Sequence, residues 1–150
     1  MFNDFSEGDF VKKDLYEPYT RKAHYYETDR MGIVHHSNYI RWFEEARVDF
    51  LEKIGLPYDA LEKSGILLPV LGVSCDYIQP VVFDEQFSIT IVMSHFSGVK
   101  LTIEYVLKSV GDGAVKARGE SRHCFADPSL KPIRLKRTHP EIYRIFERLT

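Results

Sequence analysis

The chain has few of the features that mark several large classes of protein. Its two cysteines, Cys75 and Cys124, lie far apart and lack the paired spacing of a zinc site. No apolar run approaches the ~20 residues that cross a bilayer, so we expect no membrane insertion. The first residues, MFNDFSEGDF, lack a basic segment followed by an apolar one, so no secretory signal is expected. These absences predict a cytoplasmic protein whose two thiols are free and buried.

Neither sign of charge dominates the composition. The 20 basic and 22 acidic residues give a net charge of −2, which offers no reason to expect a nucleic acid partner. Apart from the adjacent pair His35 and His36, the histidines are too scattered along the sequence to indicate a metal site: His24, His95, His123 and His139. What is present is a globular composition, 44% hydrophobic and 13% aromatic over 150 residues. We therefore predict a single domain over residues 1–150 with no metal.

Titratable and hydrogen-bonding side chains are concentrated between Tyr25 and Arg47. One acid, Asp29, lies there in the turn between a strand-like segment and a long amphipathic helix. Its neighbours in sequence are Tyr25, Tyr26, His35, His36, Ser37 and Asn38. A turn that brings a carboxylate to the start of a helix places a base or nucleophile beside unpaired backbone N–H groups. This segment is therefore the candidate catalytic site.

The periodicity of the first half predicts one strand and one long helix. Alternating aromatics after Pro18 favour a strand over residues 19–26, and Gly32 favours a turn after it. Apolar residues then recur every three or four positions from Asn38, with Ser37 or Asn38 as the expected N-cap. Gly55 should end this helix of about 17 residues. A short helical turn is expected over residues 58–64, and residues 1–18 are interpreted as an N-terminal arm.

The second half predicts antiparallel strands. Apolar and polar residues alternate in several runs between Ile66 and Asp127, separated by turn sequences at 97–98 and 111–113. An amphipathic helix over 139–149, opening at Pro140, should close the chain. The whole pattern predicts an α+β fold in which a curved antiparallel β-sheet is wrapped around a long central α-helix.

The central segment resembles a known family. The pattern YxxTDxxGxV over Tyr25–Val34, HxxY from His36 and RWFEEAR from Arg41 resemble the hotdog-fold 4-hydroxybenzoyl-CoA thioesterase family. The resemblance is closest to the bacterial branch that includes the Tol–Pal-associated acyl-CoA thioesterases, and it covers roughly residues 19–135. It implies the hotdog fold and hydrolysis of an acyl-CoA to free acid and coenzyme A. It also implies no cofactor, since coenzyme A is part of the substrate, and a homodimer or homotetramer with active sites between protomers.

Position by position, the resemblance implies a set of site residues. Asp29 falls where the family has its catalytic carboxylate, and His36 and Tyr25 match its catalytic helpers. The predicted substrate-binding residues are Gly32, Val34, Ser37, Asn38 and Tyr39. Chemistry supports the same roles: Asp29 could attack the thioester or activate water, and the helix-start amides near residues 36–38 could hold the oxyanion.

Several alternatives stay open on the sequence. Some hotdog thioesterases carry the carboxylate on the helix, so Glu44 or Glu45 is a rival to Asp29, although ordinary ion pairing explains both. His35 is interpreted as structural or substrate-lining. Contacts to the phosphates of coenzyme A are weakly indicated for Lys100, Arg118 and Arg122. The acyl group could instead be carried by acyl carrier protein, or the chain could be a non-catalytic module that binds acyl thioesters.

Overall fold

The computed structural model describes residues 16–150, so most of the predicted arm over residues 1–18 lies outside the described residues. The elements in chain order are β1 Tyr19–Lys22, a 3-10 helix Tyr25–Glu27, α1 Ser37–Lys53, α2 Tyr58–Lys63, β2 Val70–Tyr77, β3 Gln86–Phe96, β4 Lys100–Ser109, β5 Val115–Cys124, α3 Leu135–Thr138 and α4 Pro140–Leu149. The five strands form one antiparallel sheet in the order β1-β3-β4-β5-β2. The predicted α+β architecture is confirmed.

The long helix α1 packs against the inner face of this sheet. Its 17 residues and its end before Gly55, which has φ +82°, match the prediction. The buried stripe consists of Tyr39, Trp42, Phe43, Ala46 and Leu51. Phe43 stacks on Tyr105 of β4 with the ring centroids 4.5 Å apart. Phe43 also lies directly against Gly119 of β5, where any Cβ would overlap the ring. Close approach of helix and sheet therefore depends on a glycine in the middle of a strand.

The start of the chain departs from the prediction. The first strand ends at Lys22 instead of continuing to residue 26, and residues 25–27 form a 3-10 helix. The cause is a carboxylate that the alternation pattern does not reveal: Glu27 accepts the backbone N–H of His24 and a hydrogen bond from Arg21. This pair of contacts turns the chain out of the sheet.

The helix start is also different from the expected one. The N-cap residue of α1 is His36, with φ −55° and ψ −29°, and its own side chain makes no capping hydrogen bond. Ser37 and Asn38 therefore lie inside the helix, and the predicted capping role is wrong. The Asn38 side chain instead donates to the backbone oxygen of Glu27 at 2.9 Å. Asn38 thus ties the helix to the 3-10 segment.

The sheet edges were not evident from the sequence. Strands β3, β4 and β5 form the expected meander, but β2 pairs with β5 and lies at one edge, while β1 lies at the other. The short helix α3 was not predicted. Cys124 is buried and Cys75 partly buried, and both are free. In the part of the chain that the structure describes, no helix is long and apolar enough to span a bilayer.

A row of buried polar side chains connects α1 to the sheet. Arg47 donates to the Tyr105 hydroxyl at 3.0 Å. The Tyr105 hydroxyl in turn lies 2.6 Å from the Ser121 hydroxyl. Ser121 Oγ in turn lies 2.7 Å from Nε2 of His123, whose side chain has no solvent exposure. Burial, together with the positive charge of Arg47, lowers the pKa of His123 to about 4. The imidazole is therefore neutral in the folded protein at physiological pH.

This buried histidine should make stability fall on acidification. Its pKa is about 4 folded and ~6.5 unfolded, so the unfolded chain binds the proton first as pH falls. The contribution of neutral His123 to stability is fully present above pH ~6.5 and is lost as pH falls toward about 4. The free energy of unfolding should fall by up to about 3 kcal/mol over this range.

Urea unfolding at several pH values between ~4 and ~7 measures this loss. His123→Gln should flatten this part of the profile, and the exposed control His95→Gln should not; equal profiles for all three proteins would contradict the assignment.

Candidate active site

The turn that carries Asp29 is fixed by its own backbone. Asp29 N–H donates to the Ile33 carbonyl at 2.9 Å, and Gly32 N–H donates to the Asp29 carbonyl at 3.1 Å. Gly32 has φ +77°, a conformation that favours glycine, which agrees with its predicted place in a turn. An isolated bridge between Thr28 and Val34 closes the loop. The backbone therefore holds the acid in one place before any substrate is present.

The two oxygens of the Asp29 carboxylate have different surroundings. Oδ1 accepts the Met31 N–H at 2.8 Å, as turn-forming aspartates commonly do. Oδ2 has no hydrogen-bond partner among residues 16–150, and the side chain is half-buried at a cavity wall. One oxygen thus fixes the side chain and the other is available for chemistry.

The cavity beside Asp29 has a volume of about 290 Å³. It lies where β2 ends and α1 begins, and its lining is Asp29, Met31, Ile33, Val34, His36, Tyr39, Tyr77, Ile78, Gln79 and Pro80. Most of these side chains are apolar or aromatic, with one carboxylate and one imidazole among them. Such a lining suits an apolar acyl chain whose polar end meets a few fixed groups.

Of the predicted catalytic residues, the structure brings Asp29 and His36 to the same cavity. The His36 imidazole stacks on His35 with the centroids 4.2 Å apart. Tyr25 is different: it is 77% exposed, packs edge-on against Phe83 and does not line the cavity. Within one chain, His36 therefore lies at the cavity and Tyr25 lies outside it. The catalytic role of Tyr25 stays a prediction.

The predicted substrate-binding residues also divide into two groups. Val34 and Tyr39 line the cavity, and Gly32 shapes the turn. Ser37 Oγ contacts His35 Nδ1 at 2.8 Å, and Asn38 is buried against Glu27. These last two act on neighbouring residues of the protein, so contact with substrate is not evident for them.

The helix-start amides are less free than the sequence suggested. The Ser37 N–H points to His35 Nδ1 at 3.2 Å, and the Asn38 N–H donates to the His35 carbonyl at 3.0 Å. Both of these donors already have partners. The reason is that His35, just before the helix, supplies an acceptor for each of these N–H groups, which were expected to be unpaired. The imidazole of His36 lines the cavity and has no hydrogen-bond partner among residues 16–150, so it remains a candidate donor.

The rival carboxylates and the proposed phosphate contacts lie elsewhere. Glu45 pairs with Arg21 at 2.7 Å, and Glu44 is exposed and 3.9 Å from Arg47. Neither lines the cavity, so ion pairing accounts for both. Arg118 lines a second cavity of about 280 Å³ together with Asp76, Glu104 and Glu120, and Lys100 and Arg122 are exposed on the same sheet. The acids around Arg118 do not favour a phosphate there.

Sequence reasoning missed Glu27, the residue that organises the site loop, which is the segment from Tyr25 to His36 that carries Asp29. Glu27 is 4% exposed, and its carboxylate accepts from Arg21, the His24 amide and Trp42 Nε1. Its backbone oxygen accepts from the His35 amide and Asn38. The available signal was Trp42, because a buried indole N–H on the apolar stripe needs an acceptor.

Two tyrosines at the cavity are held in their protonated form. Burial raises the pKa of Tyr39 to about 12, and the pKa of Tyr77 is raised to about 12 by desolvation and then by the Cys75 thiol. Both phenols therefore remain donors through the physiological range. Among residues 16–150, no group of three or more His, Cys, Asp or Glu side chains is arranged to hold a metal.

A sheet around a long helix, with a carboxylate at the helix mouth beside an apolar cavity, defines a hotdog-type thioester hydrolase. Residues 24–143 match the thioesterase-like superfamily, and the chain belongs to that family. The finer assignment to the 4-hydroxybenzoyl-CoA or Tol–Pal branch does not follow from this match.

Relatives in other organisms agree with that family. A protein of Aquifex aeolicus named "Putative esterase" is 36% identical over 106 residues, which are 71% of this chain and 81% of the relative. A Bacillus subtilis protein named "Putative acyl-CoA thioesterase YneP" is 30% identical over 128 residues, 85% of this chain and 92% of the relative. The crystal structure of a DHNA-CoA thioesterase from Staphylococcus aureus superposes with a TM-score of 0.81 at 29% identity, covering 86% of this chain and 87% of that one. The predicted hotdog fold and thioester hydrolase activity are confirmed.

Proposed function

We propose that this chain hydrolyses acyl-CoA thioesters to the free acid and coenzyme A, with Asp29 as the catalytic carboxylate. The observation that carries the assignment is the carboxylate itself: Oδ1 is fixed by Met31, and the unpaired Oδ2 is free at the cavity. His36 lies on the same wall and would polarise the thioester carbonyl.

The chemistry starts from Oδ2 by either of two routes. As a general base, Asp29 takes a proton from water, whose oxygen adds to the carbonyl carbon, and the C–S bond then breaks to release the thiolate. As a nucleophile, Oδ2 itself adds to that carbon, the thiolate leaves, and water hydrolyses the resulting anhydride. In both routes, negative charge collects on the thioester oxygen, to which the His36 imidazole would donate a hydrogen bond.

A substrate panel with a free-thiol assay tests the function. It should include short and long straight-chain acyl-CoAs, 4-hydroxybenzoyl-CoA for the branch suggested by the resemblance, and 1,4-dihydroxy-2-naphthoyl-CoA. The aromatic lining by Tyr39 and Tyr77 suits a ring as well as a short chain. Release of thiol from none of these, with tight binding of any, would favour a non-catalytic acyl-thioester module instead.

A second candidate substrate carrier is acyl carrier protein. The observation that favours it is a basic segment anchored by buried Leu135, with exposed cations at Lys131, Arg134, Lys136 and Arg137. None of these four has an ion pair with a carboxylate in the described part of the chain. An acidic carrier would be attracted to this surface. Much faster turnover of carrier-bound than of CoA-bound acyl groups would identify it.

The proposed enzyme is a homo-oligomer that pairs through β2. This edge strand has an open side, and it exposes Val70, Leu71, Val73 and Tyr77, each between 41% and 51%. An exposed apolar edge favours pairing with a second copy. Because Tyr77 at the end of β2 lines the cavity, that copy would cover the site from outside. Light scattering should give at least twice the mass of one chain; a monomer would contradict the pairing.

A further inference from the structure

Tyr77 connects the edge strand β2 to the start of α1. Its hydroxyl donates to the backbone oxygen of His36 at 2.8 Å, although the two residues are far apart in sequence. His36 is the N-cap residue of α1 and has no side-chain cap of its own. The phenol of Tyr77 is thus a side-chain donor to the carbonyl at which the helix begins, in addition to the helix's own hydrogen bond.

The ring of Tyr77 also sets the surroundings of the His36 imidazole. The two rings meet edge to face with centroids 6.3 Å apart and an interplanar angle of 84°. Tyr77 meets Tyr39 in the same manner, at 4.9 Å and 90°. No hydrogen bond from residues 16–150 holds the His36 imidazole, so its position depends on its backbone and on the rings of His35 and Tyr77.

We infer that Tyr77 is a positioning residue for the hydrolysis, which acts by holding the His36 carbonyl and imidazole at the cavity wall. This inference rests on the proposed function, because it gives Tyr77 its effect through His36. Removing the hydroxyl takes away the one side-chain donor to the N-cap carbonyl, which keeps its helical hydrogen bond, and the ring stays in place. Small displacements of a catalytic group lower the rate more than they lower substrate affinity.

The test is Tyr77→Phe, with Tyr26→Phe as the matched control. Tyr26 is 80% exposed and stacks on His24, away from the cavity lining. We expect Tyr77→Phe to lower kcat about tenfold with KM within about twofold. Tyr26→Phe should leave both unchanged. An unchanged kcat for Tyr77→Phe would overturn the inference, as would a rise in KM without a fall in kcat.

A double-mutant cycle separates positioning from a general structural effect. If Tyr77 acts through His36, Tyr77→Phe should change kcat less than about twofold in a His36→Ala background. The same tenfold loss in both backgrounds would show that Tyr77 acts independently of His36 and would overturn the inference.

One readout does not depend on activity. The NMR signal of the His36 ring should shift or broaden in Tyr77→Phe and stay in place in Tyr26→Phe. A wild-type protein that releases no thiol while its His36 signal responds to Tyr77→Phe would overturn the proposed function but leave the contact intact. An active wild type whose His36 signal ignores Tyr77→Phe would overturn the inference alone.

Discussion

Replacing Asp29 with asparagine is expected to lower kcat for acyl-CoA hydrolysis by about 10²- to 10⁴-fold. The amide keeps the size of the side chain, and its oxygen can still accept the Met31 N–H that fixes the turn. What it lacks is the charge and basicity of Oδ2, on which both chemical routes depend. Because the cavity is unchanged, binding of an acyl-CoA should persist. Thiol release and calorimetric binding, measured on the same preparation, check both expectations.

Two carboxamide controls complete this experiment. Glu44→Gln and Glu45→Gln alter the rival helix carboxylates, which lie outside the cavity lining, and each should keep kcat within about threefold. A loss in either variant that equals the loss in Asp29→Asn would transfer the catalytic role to the helix. Asp29→Asn with wild-type kcat would contradict the central assignment.

The route taken by the wild-type carboxylate can be read from isotope incorporation. In a single turnover in ¹⁸O-water, general-base catalysis places the label in the released acid. In the nucleophilic route, an Asp29 oxygen passes into the first product when water attacks the aspartyl carbon of the anhydride, and the label appears in the enzyme. The same Asp29 geometry supports both routes, so this measurement distinguishes them.

Local sequence patterns predicted the elements well because each is determined by nearby residues. The stripe of α1 and the stop at Gly55 need only the helical period and one positive φ, and both are as expected. The hairpin at Ser97-Gly98 depends on turn residues, and Ser97 N–H does pair with the Lys100 carbonyl there. The position of β2 at the sheet edge is a long-range property, since it is decided by pairing with β5 rather than by its own alternation.

The site was predictable in part for the same reason. Asp29 and His36 belong to one short segment, so a local motif could place both at one cavity. Tyr77 reaches that cavity from β2, and no local pattern joins it to His36. The engagement of the Ser37 and Asn38 amides by His35 was also missed, because it depends on the conformation of a single residue before the helix.

Glu27 shows most clearly what sequence patterns miss, and its removal should have the largest effect on stability. Glu27→Ala is expected to lower the free energy of unfolding by about 3 to 5 kcal/mol, the usual result when one partner of a buried ion pair is removed. Arg21, whose side chain is 11% exposed, would lose one of its two carboxylate partners and keep only Glu45 as an ion-pair partner among residues 16–150. The Trp42 indole N–H, now 2.6 Å from the Glu27 carboxylate in a fully buried side chain, would have no acceptor.

Chemical denaturation of Glu27→Ala and a graded set of variants tests this argument. Glu27→Gln keeps the side-chain size and one acceptor oxygen, so it should lose less than Glu27→Ala but more than a surface change. The control is Glu44→Gln, whose side chain is 71% exposed and which should lie within about 0.5 kcal/mol of wild type. Since the Glu27 backbone oxygen receives the His35 amide and Asn38, weakening this residue should also loosen the turn that presents Asp29. If Glu27→Ala were as stable as Glu44→Gln, the buried carboxylate would contribute nothing to stability. Glu27 would then not be the residue that organises the site loop.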